Sequence, residues 1–217
     1  MDDSRFTVPL YTIKAAAVHL GMSASTLRDW ANKDELLTVL SPETKLSPKL
    51  PFIALVEAQL YSAFRDSKMS MQRIRSGMKA VREELGDDML RAGVLATDGV
   101  EILVNFAESS NAPEWVRARD KQIGIPDIIN IGLQLITWGD NEYPQSIKLT
   151  SYKGTDVVAD YRYAFGQPII EGTRVKVDDV VQLFAAGESI QTISNEYEIE
   201  IDVALALIRP YVAKNAA

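Results

Sequence analysis

With 217 residues, 47% of them hydrophobic, the chain can bury one substantial core or two small ones. The absence of cysteine and the presence of a single histidine, His19, exclude disulfides, thiolate metal sites and a histidine-rich metal centre. The net charge of -7 is uneven, with 12 Lys/Arg against 10 Asp/Glu in residues 1–85 and 11 against 20 in residues 86–217. A nucleic-acid surface is therefore expected in the N-terminal half, while the acidic half suits a basic partner or simply aids solubility.

The opening MDDSRFTVPLY lacks the apolar core of a signal peptide, and no apolar run approaches the roughly 20 residues that span a bilayer, so a cytoplasmic protein without membrane contact is expected. Residues 11–33 read as helix, tight turn, helix. Thr12 can cap a first helix with Ile13, Ala16, Ala17 and Leu20 on its apolar face, Gly21 ends it, and Ser23 can cap a second helix carrying Leu27, Trp30 and Ala31. Residues 36–51, with three prolines and the lysines Lys45 and Lys49, suit a wing-like arm. Two amphipathic helices follow, from Phe52 and from Met71, and Asp98-Gly99 between apolar runs signals a hairpin.

The polar stretch 111–121 reads as a linker with a domain boundary near residue 112, and residues 123–138 are assigned to a helix. Residues 146–152 and 157–161 predict a second hairpin, which either extends the C-terminal module or pairs with another chain. Beyond the turn at Glu171-Gly172, helices are expected over 177–186, after a Ser189 cap, and from Asp202, a compact three-helix unit. The fold class that follows is mainly α with small β-hairpins: a winged-helix-like helix-turn-helix domain at 1–111, a β-rich connection at 112–164 and a trihelical module at 165–217. No internal repeat is visible.

No catalytic constellation is present. There is no cysteine, no Gly-x-Ser-x-Gly elbow and no phosphate-cradling glycine loop, and Asp87-Asp88 and Asp178-Asp179 fall at helix edges, where capping and dipole effects account for them. His19 lies within the first helix of the motif, where a structural role is expected. No enzymatic activity, cofactor or metal is expected.

A DNA-reading helix presents short or forked polar side chains outward while its other face anchors it. With Leu27 and Trp30 inward, Ser25, Thr26, Arg28, Asp29 and Lys33 lie near the opposite face. There Ser, Thr and the helix N-terminus can bind phosphates and Arg28 can reach a guanine edge, and Thr12, Ser23, Lys45 and Lys49 complete the candidate DNA-binding residues. Spacing alone is equally compatible with a helical hairpin bearing a solvated polar face. The residues Tyr11, Thr12, Ile13, Ala16, Ala17, Leu20, Gly21, Ser23, Thr26, Leu27 and Arg28 resemble the N-terminal helix-turn-helix of MerR-type regulators. Past Lys33 the basic wing and long dimerisation helix of that family are not recognisable, so the resemblance implies operator binding rather than promoter twisting.

Pro168, Ile170, Gly172, Thr173, Arg174, Val175, Ala186, Gly187, Ser189, Ile190 and Ile193, within residues 165–211, resemble the bacterial family known as domain of unknown function 433. A MerR-like head joined to such a tail resembles the larger VapB-type antitoxins. That resemblance implies a cognate PIN-like ribonuclease toxin, a homodimer on operator DNA and autorepression. Arg174 and Lys176 then become candidate cations for the toxin's carboxylates, and Glu196 and Glu198 candidates for its basic rim. The competing reading of Arg174 is an internal ion pair beside a Gly172 turn, and that of the acids is a solvated loop. A stand-alone MerR-like regulator and a protein-interaction module without DNA binding are the alternatives. An adjacent toxin gene, or insensitivity of DNA affinity to Arg28→Ala and Lys33→Ala, tells them apart.

Overall fold

The computed structural model describes residues 3–41, 44, 47–66, 71–91 and 132–215. A one-turn helix α1 (Ser4–Thr7) precedes α2 (Ile13–His19) and α3 (Ala24–Asn32), which form the expected helix-turn-helix. The arm after α3 returns through a backbone bond from Leu40 to Lys49 (2.8 Å) and ends where Tyr11 and Leu50 pair. Then come α4 (Phe52–Asp66) and α5 (Met71–Leu85), followed by a 3-10 turn over Gly86–Leu90. The expected hairpin around Asp98-Gly99, the linker 111–121, the boundary near residue 112 and Lys45 lie outside the described residues.

A four-stranded antiparallel meander follows, β1 (Ile136–Trp138), β2 (Pro144–Lys148), β3 (Val157–Asp160) and β4 (Pro168–Ile170), in the spatial order 1-2-3-4. Ile147 pairs with Ile136 on one side and Ala159 on the other, and all three are buried, so one face of the meander is apolar. The expected hairpin is thus β2–β3. The helix expected over 123–138 is corrected at its end. Ile136–Trp138 is an edge strand, because pairing with β2 decides between conformations that an apolar run leaves open, while 123–131 lie outside the described residues. The chain closes with α6 (Val177–Ala185), α7 (Ile190–Tyr197) and α8 (Ile201–Asn215), the trihelical unit expected. The connection α6–α7 repeats that of α2–α3 locally: Ser189 Oγ accepts from Thr192 N (3.1 Å), as Ser23 Oγ accepts from Thr26 N (3.1 Å). Among the described residues, no helix is long and apolar enough to cross a membrane.

The core runs through both ends of the chain. Ala16, Ala17 and Leu27 of the helix-turn-helix belong to one buried cluster with Ile147, Val157, Val180, Ile193 and Leu207. Burial on every side over residues 52–58 makes α4 the axis, packed against α1, α5 and β2. Arg5 is buried too. Its guanidinium lies over the rings of Tyr161 (4.7 Å) and Tyr143 (5.1 Å), donates to Pro144 O (3.3 Å) and pairs with Asp3, tying the N-terminus to the sheet.

One carboxyl sits within α4. Glu57, 1% exposed, accepts from Thr38 N (2.6 Å), Thr38 Oγ1 (2.9 Å) and Arg82 Nη2 (2.7 Å), so it joins the arm after α3 to α5. Burial pushes its carboxyl up to about 7 from the ordinary 4.5, with Arg82 and Thr38 offsetting part of the desolvation. A carboxyl that holds its proton more tightly when folded stabilises the fold fully below its unfolded value and loses that contribution as pH rises through its folded value. Between pH 4.5 and 7 the wild-type protein should therefore lose on the order of 3 kcal/mol from this group, and Glu57→Gln should remove that slope. Thermal melts of both proteins across the range check it; parallel pH profiles would contradict the assignment.

Candidate nucleic-acid interface

The two helices of the motif are set by their caps and by the turn between them. Thr12 Oγ1 accepts from Ala15 N (3.1 Å) at the start of α2, and Ser23 Oγ accepts from Thr26 N at the start of α3. Gly21 takes φ +64, a left-handed conformation that side-chain-bearing residues rarely adopt, and so reverses the chain within the turn. Behind α3, Leu27 and Trp30 are buried, and the Trp30 ring meets Tyr61 of α4 edge-on at 6.1 Å.

The opposite face of α3 is open. Ser25, Arg28, Asp29 and Lys33 are exposed and Thr26 is half-buried. Among the described residues Arg28 and Lys33 enter no ion pair. Ser23 Oγ lies 3.0 Å from Ser25 Oγ and 2.8 Å from Thr26 Oγ1, gathering three hydroxyls at the N-terminus of the helix. Thr12 and Ser23 are thus cap residues first, with lone pairs committed to backbone amides. Lys49 donates to Asn32 Oδ1 (2.7 Å), fastening the base of the arm to the last turn of α3. Forked and hydroxyl side chains on an anchored helix suit base edges and phosphates.

The candidates in the C-terminal module occupy two connections. After β4 the chain turns at Gly172 (φ +76), and Thr173 Oγ1 donates to Ile170 O (2.9 Å) while accepting from Val175 N (3.1 Å). This holds Arg174 outward. It is exposed and, among the described residues, joins no ion pair, so the internal pairing weighed from sequence is absent. Lys176 occupies the N-cap position of α6 and is half-buried. Glu196, in the last turn of α7, and Glu198, its C-cap at φ +54, are exposed.

Sequence reasoning missed how the motif meets the rest of the molecule. The loop between β2 and β3 docks on the α2–α3 turn: Ser151 Oγ donates to His19 O (2.5 Å), and Tyr152 OH lies 2.6 Å from His19 Nδ1. His19 is 3% exposed, with Asp178 Oδ1 of α6 3.9 Å from its Nε2. Tyr11, just before α2, donates its hydroxyl to Gly166 O. Burial, with the Asp178 charge adding to it, pushes the hydroxyls of Tyr11 and Tyr152 well above the ordinary tyrosine range. Burial, reinforced by Asp179 and offset by Lys176, raises the Asp178 carboxyl. The only available signal was the lone histidine on the inner side of a short helix, and it does not name a partner 133 residues away.

Residues 9–78 match a family described as "Putative DNA-binding HTH domain", and residues 157–209 match one described as "Protein of unknown function (DUF433)". Over 91% of its length the chain is 32% identical to a protein named "Putative antitoxin VapB45" from Mycobacterium tuberculosis strain H37Rv, covering 92% of it. The crystal structure of Rv2018 from Mycobacterium tuberculosis superposes with a TM-score of 0.74 at 33% identity, over 94% of this chain and 99% of that one.

The cap geometry separates two neighbouring serines. Ser23→Ala removes the acceptor for Thr26 N and is expected to cost about 1 kcal/mol of unfolding free energy. Ser25→Ala, on the exposed face, should stay within about 0.5 kcal/mol of wild type. Urea titrations of the two variants make the comparison, and equal losses would contradict the capping role.

Proposed function

The chain belongs to the family of the VapB45 antitoxin, and from that membership we propose that it is a cytoplasmic, non-catalytic antitoxin that neutralises a PIN-like ribonuclease and represses its own operon. The observation that carries the DNA-binding half of this reading is the anchored α3, whose outward face offers Ser25, Thr26, Arg28 and Lys33 to the major groove. Thr12, Ser23 and Lys49 flank it as phosphate contacts, and this reading counts Lys45 of the arm with them. The resemblance of the α2–α3 pair to MerR-type heads supports reading the operator as a homodimer on two half-sites, with residues 1–111 as the reading unit, 112–164 as a connection and 165–217 as the toxin-facing module.

In that module the exposed Arg174, held outward by the Thr173 turn, approaches the carboxylates with which such a nuclease holds its metal, assisted by Lys176. Glu196 and Glu198 meet a basic rim of the toxin. Although α6–α7 shares the local helix-Gly-x-Ser-helix connection, residues 177–208 contain seven Asp/Glu and no Lys or Arg, a balance that suits a basic protein better than DNA.

Co-expression with the product of the adjacent gene, followed by co-purification and an RNA-cleavage assay, tests the antitoxin reading. A stable complex with suppressed cleavage is expected, and a nuclease left free and active would overturn it. On DNA, Arg28→Ala should cost about 1–3 kcal/mol for a selected site and relax preference at one base position. Fluorescence anisotropy on matched and mismatched duplexes measures both effects.

A further inference from the structure

We infer that the β2–β3 loop and α8 form a second arm of the DNA-binding surface, in which Lys153 and Arg209 grip duplex phosphates beside the N-terminus of α3. The inference rests on the DNA-binding reading of the head and adds to it a pair of contacts from the acidic half of the chain.

An open cleft of about 630 Å³ lies where three elements meet, with Gly21 and Met22 of the α2–α3 turn, Ser151 and Lys153 of the β2–β3 loop, and Arg209 and Pro210 of α8 among its walls. Two charged residues line it, both cations, and no Asp or Glu does. Lys153 and Arg209 are exposed, and among the described residues neither enters an ion pair. Arg209 is notable because the 32 residues before it carry no Lys or Arg.

The loop is held in place at several points. A Cβ at Gly21 would lie 3.3 Å from Ser151 Cβ, Tyr152 is buried against His19, a Cβ at Gly154 would lie 3.8 Å from Ala206 Cβ of α8, and Lys148 pairs with Asp156 across the loop's base (2.7 Å). Lys153 stands between these anchors, so little of its backbone freedom is left to lose on binding.

Met22 immediately precedes Ser23, the cap of α3, and the N-terminal turn of a reading helix is the part that enters the major groove. The groove is about 12 Å wide, so side chains flanking that turn meet the phosphates at its edge. The contacts are with backbone phosphates, hence blind to sequence.

The test uses the full-length protein, a duplex that it selects from a random-sequence library and a scrambled duplex, with anisotropy titrations between 50 and 200 mM salt. Lys153→Gln with Arg209→Gln should weaken both duplexes alike and lower the salt slope by about 2, so that the wild-type advantage shrinks about tenfold from the low to the high salt. The preference for the selected duplex should persist, in contrast to Arg28→Ala. An unchanged slope overturns the inference and leaves the head's DNA reading standing, whereas failure of the wild-type protein to select any duplex overturns both. Should the double variant melt early, Lys153→Gln alone, on an exposed side chain, carries the test with an expected slope change of about 1.

Discussion

The close approach of the α2–α3 turn to Ser151 is the contact on which the molecule's arrangement depends. At φ +64, with space for a Cβ only 3.3 Å from a neighbouring side chain, position 21 favours glycine and any side chain there strains the turn. That proximity brings Ser151 to the His19 carbonyl and Tyr152 to the His19 ring, and it carries the β2–β3 loop onto α8 through Gly154 and Ala206. The helix pair is backed by α8, and Leu20 packs partly buried against the common core. The direction in which α3 points is therefore coupled to the sheet and to α8.

A second constraint lies on the other side of α3. Phe52 to Ala58 of α4 are all buried, and a helix buried all round normally excludes charge. Glu57 is accommodated because Thr38 supplies two donors and Arg82 a third, and the same Arg82 reaches Glu35 O and Leu36 O. The hydrogen bonds of one buried carboxyl thus buttress the segment that leaves the C-terminus of α3. Trp30 against Tyr61 adds an apolar brace next to it. α3 is thereby held by the docked loop at its start and by this polar network at its end, while its outward side chains remain free of intramolecular ion pairs among the described residues. Orientation fixed by rigid neighbours and contacts left for the ligand is the combination that a recognition helix needs.

Electrostatics divides the surface differently from the chain. Counted along the sequence, the cations are split almost evenly, 12 in residues 1–85 and 11 beyond, while 20 of the 30 acids lie beyond residue 85. In space, Lys153 and Arg209 from the acidic part stand next to the turn before α3, while Glu196 and Glu198 lie on α7 and its cap. The same C-terminal half therefore carries two cations beside the turn before α3 and acids on α7 and its cap.

The local structure of the motif was legible because its determinants are local. Hydroxyl caps at Thr12, Ser23 and Ser189, Gly21 and Gly187 at helix ends, and apolar residues three and four apart each act within one or two turns of chain, so α2, α3, α6, α7 and the pairing of β2 with β3 follow from the residues themselves. Whether Ile136–Trp138 would be helix or strand, which partner His19 would take, and which cations would stand beside the turn before α3 depended on segments more than a hundred residues apart or on a neighbouring strand. An apolar run or a lone histidine is compatible with several environments, and only packing against β2, Tyr152 and α8 selects among them.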